Sequence, residues 1–301
     1  MSPKTVIIIT GPTASGKTEL ALEAARYFNT SIISVDSRQC FRELNIGVAK
    51  PTPAQLEQVK HFFINSHSIR EEVNASIFES LAMRCCDEIF STRDTVIMCG
   101  GTGLYIKAFC DGLDEIPVID EGIRKKILEN YHDRGLNWLQ ESIRDADPLF
   151  YASGETANPQ RTMRALEVIQ STGRSILFFR NQQKKQRSFR IMEVGLRIPR
   201  KELYRRIDER ADAMMDSGLL QEVASLLPYQ HLNALQTVGY IELFDHLKGK
   251  SGLEDSISLI KQNTRHYAKR QMTWLNKNEN LVWLEDDFFN KILAVYSALK
   301  A

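Results

Sequence analysis

The sequence predicts an α/β protein: a parallel sheet flanked by helices, with an all-helical insertion. Three observations predict it. Short β-branched apolar runs alternate with stretches of helical periodicity, the pattern of strands joined by crossover helices. The first three such runs end in polar or glycine-rich sequence, where ligands of parallel sheets bind. From about 118 to 184, amphipathic helical stretches follow one another with no strand between them.

Each element follows from its residues. Thr5 to Ile9 is β-branched and apolar, a buried strand by composition. A glycine-rich turn precedes helical spacing from Glu19 to Phe28. A second apolar run, Ile32 to Val35, ends in Asp36, and a third, Thr95 to Cys99, ends in Gly100-Gly101-Thr102-Gly103. Ile77 to Phe90 reads as the helix between them. Residues 121–132, 135–146 and 155–172 read as helices of the insertion. A strand returns near Ile191 to Ile198. Pro199 then suits a first helical position, and Gly218 a helix C-cap. Helices are expected over 220–227, 235–248 and 254–277, a strand at Leu281 to Leu284, and a last helix over 287–299. The domains are thus 1–117 with 185–301 as the core and 118–184 as the helical insertion.

Composition narrows the function classes. The 301 residues are 43% hydrophobic and 26% charged, an ordinary globular balance. The net charge of +1 gives no global sign of a nucleic-acid binder, so any basic surface must be local. No aliphatic run approaches the length of a membrane span, and a strand-like run starts too early for a signal peptide. Five cysteines without a C-x-x-C pair argue against a disulfide framework or a zinc site, so the expectation is a cytoplasmic protein.

The sharpest motif is Gly11-Pro12-Thr13-Ala14-Ser15-Gly16-Lys17-Thr18, which matches G-x-x-x-x-G-K-[ST] between a strand and a helix. The glycines let the loop curl so that backbone N–H groups point inward, and the helix N-terminus adds its dipole. Lys17 offers a point charge to phosphate oxygens, and the Thr18 hydroxyl can ligate Mg²⁺. The sheet is therefore expected to be P-loop NTPase-like. Phosphate binding follows from the motif; the identity of the phosphate does not.

Asp36, in Asp36-Ser37-Arg38-Gln39, fits a metal ligand, a general base aimed at a nucleophile near the phosphates, or a helix N-cap. Its strand is expected to neighbour the P-loop strand. Thr102, in the turn after the third strand, either faces a ligand or caps the following helix. No Asp or Glu stands at that strand end, which weakens an ATPase reading.

Taken together these segments resemble the tRNA dimethylallyltransferase (tRNA isopentenyltransferase) family in its bacterial form. Beyond the P-loop and Asp36 to Gln39, the resemblance rests on Ile46-Gly47-Val48-Ala49-Lys50-Pro51, Gly100 to Tyr105, and Asn158-Pro159-Gln160-Arg161 with Arg164 to Val168. It continues through Leu203-Tyr204, Arg206-Ile207, Arg210 and Met214 to Gly239-Tyr240, Tyr267 to Gln271 and Thr273-Trp274. The ordered set spans residues 11 to 274.

The resemblance implies transfer of a dimethylallyl group from dimethylallyl diphosphate to the exocyclic N6 amine of the adenosine 3′ of a tRNA anticodon. The P-loop, with Mg²⁺, would then hold the donor diphosphate. Asp36 would accept the amine proton, Arg210 would reach the diphosphate, and Thr102 would lie near the reacting groups. Asp36, Ser37, Arg38, Gln39, Thr102, Arg124, Asn158, Pro159, Gln160 and Arg161 would contact tRNA, with Gln39 reading the base edge. Three departures are visible: Arg38 where Met is usual, Val48 where Thr is common, and a single histidine at His61-Phe62.

Two basic stretches could track RNA phosphates. Lys261 to Asn278 holds five Lys/Arg and no acid, as does Arg180 to Arg190, with Phe189, Tyr267 and Trp274 nearby. The plain alternative is a solvated helix face with aromatics at core positions. Competing functions are a P-loop kinase of a small metabolite, an enzyme prenylating free adenine nucleotides, and a non-catalytic RNA-binding module. The helical insertion favours a macromolecular acceptor. The expected partners are tRNA and dimethylallyl diphosphate, with no membrane and a monomeric chain.

Overall fold

A computed structural model describes residues 4–180 and 183–300. The chain divides into two compact units, Met1–Cys110 with Gln186–Ala301, and Asp111–Lys185.

The first unit opens with β1 (Thr5–Thr10), a run buried along its whole length, as a strand flanked by helices on both faces must be. Then come α1 (Lys17–Tyr27), β2 (Ile32–Ser34), α2 (Pro53–Gln58), β3 (His61–Phe62), α3 (Ala75–Phe90), β4 (Thr95–Cys99) and α4 (Gly103–Asp111). Helix α1 starts after Gly16, whose φ is 88°, with no side-chain cap, so its first N–H groups face the P-loop. Helix α2 and strand β3 are too short for a periodicity reading. A capping box does mark α2: Thr52 and Gln55 satisfy each other's backbone around Pro53.

The second unit is helical among its described residues. Helix α5 (Glu121–Ala146) breaks at Gly135 (φ 73°, ψ −165°), so it behaves as the two helices read at 121–132 and 135–146. Next come α6 (Pro148–Ala152), α7 (Pro159–Thr172) and α8 (Ile176–Phe179). Asn158 caps α7 by accepting the Arg161 N–H at 3.2 Å, and Pro159 takes the first turn. Leu139, Ile143, Phe150, Leu166 and Val168 are fully buried in this unit's own core. The unit starts at Asp111, earlier than 118, because the segment before α5 packs Ile116 and Ile119 against that core.

The chain then adds β5 (Arg190–Leu196), α9 (Arg200–Asp216), α10 (Leu219–Leu226), α11 (Tyr240–Leu247), α12 (Leu253–Leu275), β6 (Val282–Leu284) and α13 (Phe288–Lys300). Helix α11 begins five residues later than the pattern suggested, because residues Asn233–Leu235 form a separate 3-10 turn. All six strands run parallel in the order β3-β2-β4-β1-β5-β6.

That order corrects one expectation. Strand β2 does not neighbour β1; β4 lies between them, pairing Ile97 with both Ile7 and Ile32. The longer buried strands β4, β1 and β5 take the centre, while the three-residue β2 and two-residue β3 finish one edge. The β4 loop therefore stands between the P-loop and Asp36. Ile7, Ile9, Leu20, Ile97, Val194 and Leu196 form the core beneath it. Among the described residues no helix is long and apolar enough to cross a membrane.

Candidate active site

At the carboxyl ends of β1, β2 and β4 lies a cavity of about 460 Å³. It is lined by Thr13, Lys17 and Thr18 from the P-loop and by Asp36 to Gln39 after β2. Cys99 of β4, Gly100 just after it, Arg210 from α9, and Thr264, Tyr267 and Arg270 from α12 complete much of the wall. A second cavity, of about 510 Å³, meets Lys17, Thr18 and Arg210 again, together with Ser15, Lys50 and Arg206. The phosphate loop thus borders two spaces, in accord with its location between strand and helix.

Lys17 Nζ donates to the Pro12 carbonyl at 3.1 Å. Burial lowers its pKa from the usual lysine range; Arg210 pushes the same way and Asp36 opposes. Arg210 donates to the Thr13 hydroxyl, and burial lowers its pKa against the pull of Asp36. Arg38 is likewise lowered by burial and supported by Asp36. Three partly desolvated cations around one carboxylate fit an anionic ligand that restores the missing counter-charge. The Ser15 hydroxyl is buried and finds no partner among the described residues, which also suits a loop shaped for phosphate oxygens.

Not every loop amide points inward as the motif suggested. The Thr13 N–H donates to Gln271 Oε1 at 2.8 Å. Gln271 Nε2 donates in turn to the Gly101 carbonyl at 3.0 Å, so one buried carboxamide on α12 joins the P-loop to the β4 loop. The motif Tyr267 to Gln271 assigns Gln271 no role. Nothing local could: its partners lie far away in the chain.

Asp36 is held by its own turn. Its Oδ1 accepts the N–H groups of Arg38 at 2.8 Å and Gln39 at 3.3 Å, which leaves Oδ2 for a substrate. This is the Asx geometry behind the capping alternative, but no helix follows; residues 37–40 form a turn. Thr102 starts α4 by accepting the Tyr105 and Ile106 N–H groups at its carbonyl. Its hydroxyl is occupied as well, accepting the Ser37 N–H at 3.1 Å. Thr102 thus fastens the β4 loop to the Asp36 turn. Gly100 makes this approach possible: a Cβ there would collide with the Val35 carbonyl.

Gln39 faces the cavity, but its carboxamide is engaged by the protein. It donates to the Val48 and Ala49 carbonyls at 3.2 and 3.0 Å and accepts from the Ser34 hydroxyl at 3.0 Å. Both Nε2 hydrogens are thus taken, while Oε1 keeps one lone pair for a base edge. Arg38 extends across the cavity until Nη2 lies 3.5 Å from the Gln236 carbonyl. Burial, then Asp36, pushes the Tyr267 hydroxyl up to about 12, so it is neutral and presents a ring and an O–H to the cavity. Burial does the same to the Cys99 thiol, also up to about 12.

Other expected tRNA residues sit in the helical unit. Asn158 caps α7 through Oδ1 and is exposed, as are Gln160 and Arg161 at that helix start, Arg161 pairing with Glu155 at 3.3 Å. Arg124 lies 3.9 Å from Glu167.

Ion pairs engage Arg180, Lys184, Arg187, Lys261 and Arg265 of the two basic stretches. Arg187 is buried against Glu79 at 2.8 Å, Arg180 pairs with Glu155 and Lys184 with Asp111, and Phe189 stacks on Phe109. Residues 181 and 182 of that stretch lie outside the described residues. On α12, Lys261 and Arg265 pair with Asp212 and Asp208, and Trp274 packs against Gly103. Tyr267 and Arg270 remain at the cavity.

Among the described residues no cluster of three or more His, Cys, Asp or Glu side chains could cage a metal. The Thr18 hydroxyl at the cavity instead suits a Mg²⁺ held mainly by water and phosphate oxygens.

Comparison with known proteins shows the family of this chain. Residues 39–278 match the model of a family described as IPP transferase. The chain is 44% identical to tRNA dimethylallyltransferase 1 of Bacteroides thetaiotaomicron, over 96% of this chain and 94% of the relative. Among solved structures, it is similar to the tRNA isopentenylpyrophosphate transferase of Bacillus halodurans, with a TM-score of 0.71 and 32% identity over 98% of this chain and 95% of that one. A eukaryotic dimethylallyltransferase acting on tRNA matches with a TM-score of 0.78 and 26% identity, over 94% of this chain and 74% of that one.

Proposed function

This chain belongs to the IPP transferase family and its activity is tRNA dimethylallyl transfer, and on that premise we propose how its residues perform the reaction. The donor is dimethylallyl diphosphate, and the acceptor atom is the N6 amine of the adenosine 3′-adjacent to the anticodon. The observation that carries this reading is one cavity lined by the phosphate-loop cations and by Asp36 together.

The N6 lone pair forms a bond to C1 of the dimethylallyl group as the C1–O bond breaks, and its electron pair leaves on the diphosphate. Lys17 and Arg210 stabilise charge growing on the departing oxygens, which is where fixed cations lower a barrier most. Asp36 Oδ2 takes the proton that N6 must lose, while the Arg38 and Gln39 amides keep the carboxylate oriented. An aromatic amine is a weak nucleophile, so alignment by the cavity wall matters as much as the base. Thr18 would hold a Mg²⁺ that supplies further charge to the diphosphate.

Tyr267 offers the base a neutral aromatic face. The target adenosine lies in a loop, where it can be splayed out of its stack into such a cavity. In the helical unit, Arg124, Gln160 and Arg161 contact tRNA phosphates, and the α7 N-terminus adds its dipole. The protein works in the cytoplasm, as a monomer and away from membranes. The test is label transfer from dimethylallyl diphosphate to unmodified tRNA in the presence of Mg²⁺. Label on free AMP, or ATP consumption without transfer, would select the nucleotide-prenylating or kinase reading instead.

A further inference from the structure

Part of the cavity wall belongs to no helix or strand. Gly47, Val48 and Ala49 line the cavity from a loop in which Ala49 has a φ of 48°, a left-handed conformation that side-chain-bearing residues avoid. The loop closes on one turn bond of its own, from the Ala49 N–H to the Ile46 carbonyl at 3.0 Å. Its support comes from Glu222 on α10. Glu222 Oε2 accepts the Ile46 N–H at 2.8 Å. Oε1 accepts both the Gly47 N–H at 3.1 Å and the Tyr240 hydroxyl at 2.6 Å. Tyr240 is fully buried, and its ring fills the space that a Cβ on Gly47 would enter, only 2.5 Å away.

The support continues into the reacting centre. The Val48 and Ala49 carbonyls receive the Gln39 carboxamide, and the Gln39 N–H donates to Asp36 Oδ1 at 3.3 Å. A path of hydrogen bonds therefore runs from Glu222 through the loop and Gln39 to the carboxylate placed as general base.

We propose that Glu222, together with Tyr240, is a positioning residue for prenyl transfer: its carboxylate fixes the Ile46–Ala49 loop and, through Gln39, the orientation of Asp36. The proposal rests on the reading of this cavity as the acceptor pocket. The chemistry favours a carboxylate because three donors converge on two oxygens. An ionised acid is acceptor-only, whereas an amide would set an N–H against one of those donors. Glu222 does not line the cavity, so it acts through the loop.

The experiment compares Glu222→Gln, Tyr240→Phe and Asp36→Asn by steady-state transfer to tRNA, alongside thermal melts and amide hydrogen exchange of the loop. Glu222→Gln is expected to lower kcat by about 10- to 100-fold, as a sub-ångström misplacement does. The donor KM stays within about twofold, and exchange at Ile46 and Gly47 accelerates while the melt barely moves. Tyr240→Phe gives the same pattern with a smaller loss. If Glu222→Gln does not fold, Tyr240→Phe carries the test alone. A normal kcat in both variants would overturn the proposal, and so would a loss of kcat with unchanged loop exchange. Normal transfer by Asp36→Asn would instead overturn the pocket assignment, so the two failures are distinguishable.

Discussion

Gln271 and Thr13 stand 258 positions apart in the chain and are joined by a 2.8 Å hydrogen bond from the Thr13 amide to the Gln271 side chain. The same carboxamide reaches the Gly101 carbonyl, so α12 sets the spacing between the P-loop and the β4 loop. Gln271→Ala would leave the half-buried Thr13 N–H and Gly101 carbonyl without this partner, a cost of about 1 kcal/mol. The expected outcome is a lower melting temperature together with slower transfer, because the loops drift apart. Gln271→Glu keeps the acceptor for Thr13 but loses the donor for Gly101, and its melt should fall between the two.

Asp36→Ala removes the proton acceptor while sparing the surfaces that hold RNA. Transfer should fall by about 10²- to 10⁴-fold, the range of a lost general base. Affinity for an anticodon stem-loop should stay within about threefold. Turnover near the wild-type rate would remove Asp36 from the reaction.

Lys17 gives the donor site a pH dependence. Its folded pKa is lowered by burial, so its ammonium is lost at lower pH than that of an exposed lysine. Between the lowered value and the unfolded one, the unfolded chain binds more protons, so ligand-free stability rises with pH through that window. Affinity for the diphosphate falls over the same window as the charge disappears. The donor KM should therefore climb on the alkaline side, and Lys17→Arg, which stays charged, should lose that climb. A donor KM flat to about pH 10 would contradict the assignment.

Gly100→Ala tests the close approach of the two loops. The added methyl would meet the Val35 backbone, which cannot swing aside as a side chain can. A loss of about 3 kcal/mol is expected, read as a shifted urea midpoint, with transfer falling as Thr102 leaves the Ser37 amide.

Arg187 separates a structural from an RNA role. With its side chain only 9% exposed and Glu79 at 2.8 Å, Arg187→Ala leaves a buried charge uncompensated, which costs about 3–5 kcal/mol. Stability should drop while the affinity of the remaining folded protein for tRNA, and its salt dependence, stay unchanged. A weaker salt slope without a stability change would restore Arg187 to the RNA surface.

Local signals made much of this protein legible. The P-loop, the β-branched strands and the helix after Gly16 follow from short-range chemistry, and the motifs in order disclosed the family. Gly135 explains why one helical stretch read as two. The sheet order did not follow from the sequence, because β2 is as buried as β4 and no local pattern says which of them pairs with β1. The roles of Gln271, Glu222 and Arg187 also escaped, since each is defined by a partner distant in the chain. Gln39 shows the converse: its residue type suited base recognition, yet three neighbours already use its amide.

The most direct measurement is transfer of labelled dimethylallyl from its diphosphate to an unmodified tRNA with adenosine 3′ of the anticodon, beside the same tRNA lacking that adenosine. Label is expected on N6 of that adenosine alone, with one diphosphate released per transfer and both lowered about 10²- to 10⁴-fold in Asp36→Ala. Label on both tRNAs, or on neither while diphosphate is still released, would contradict this expectation.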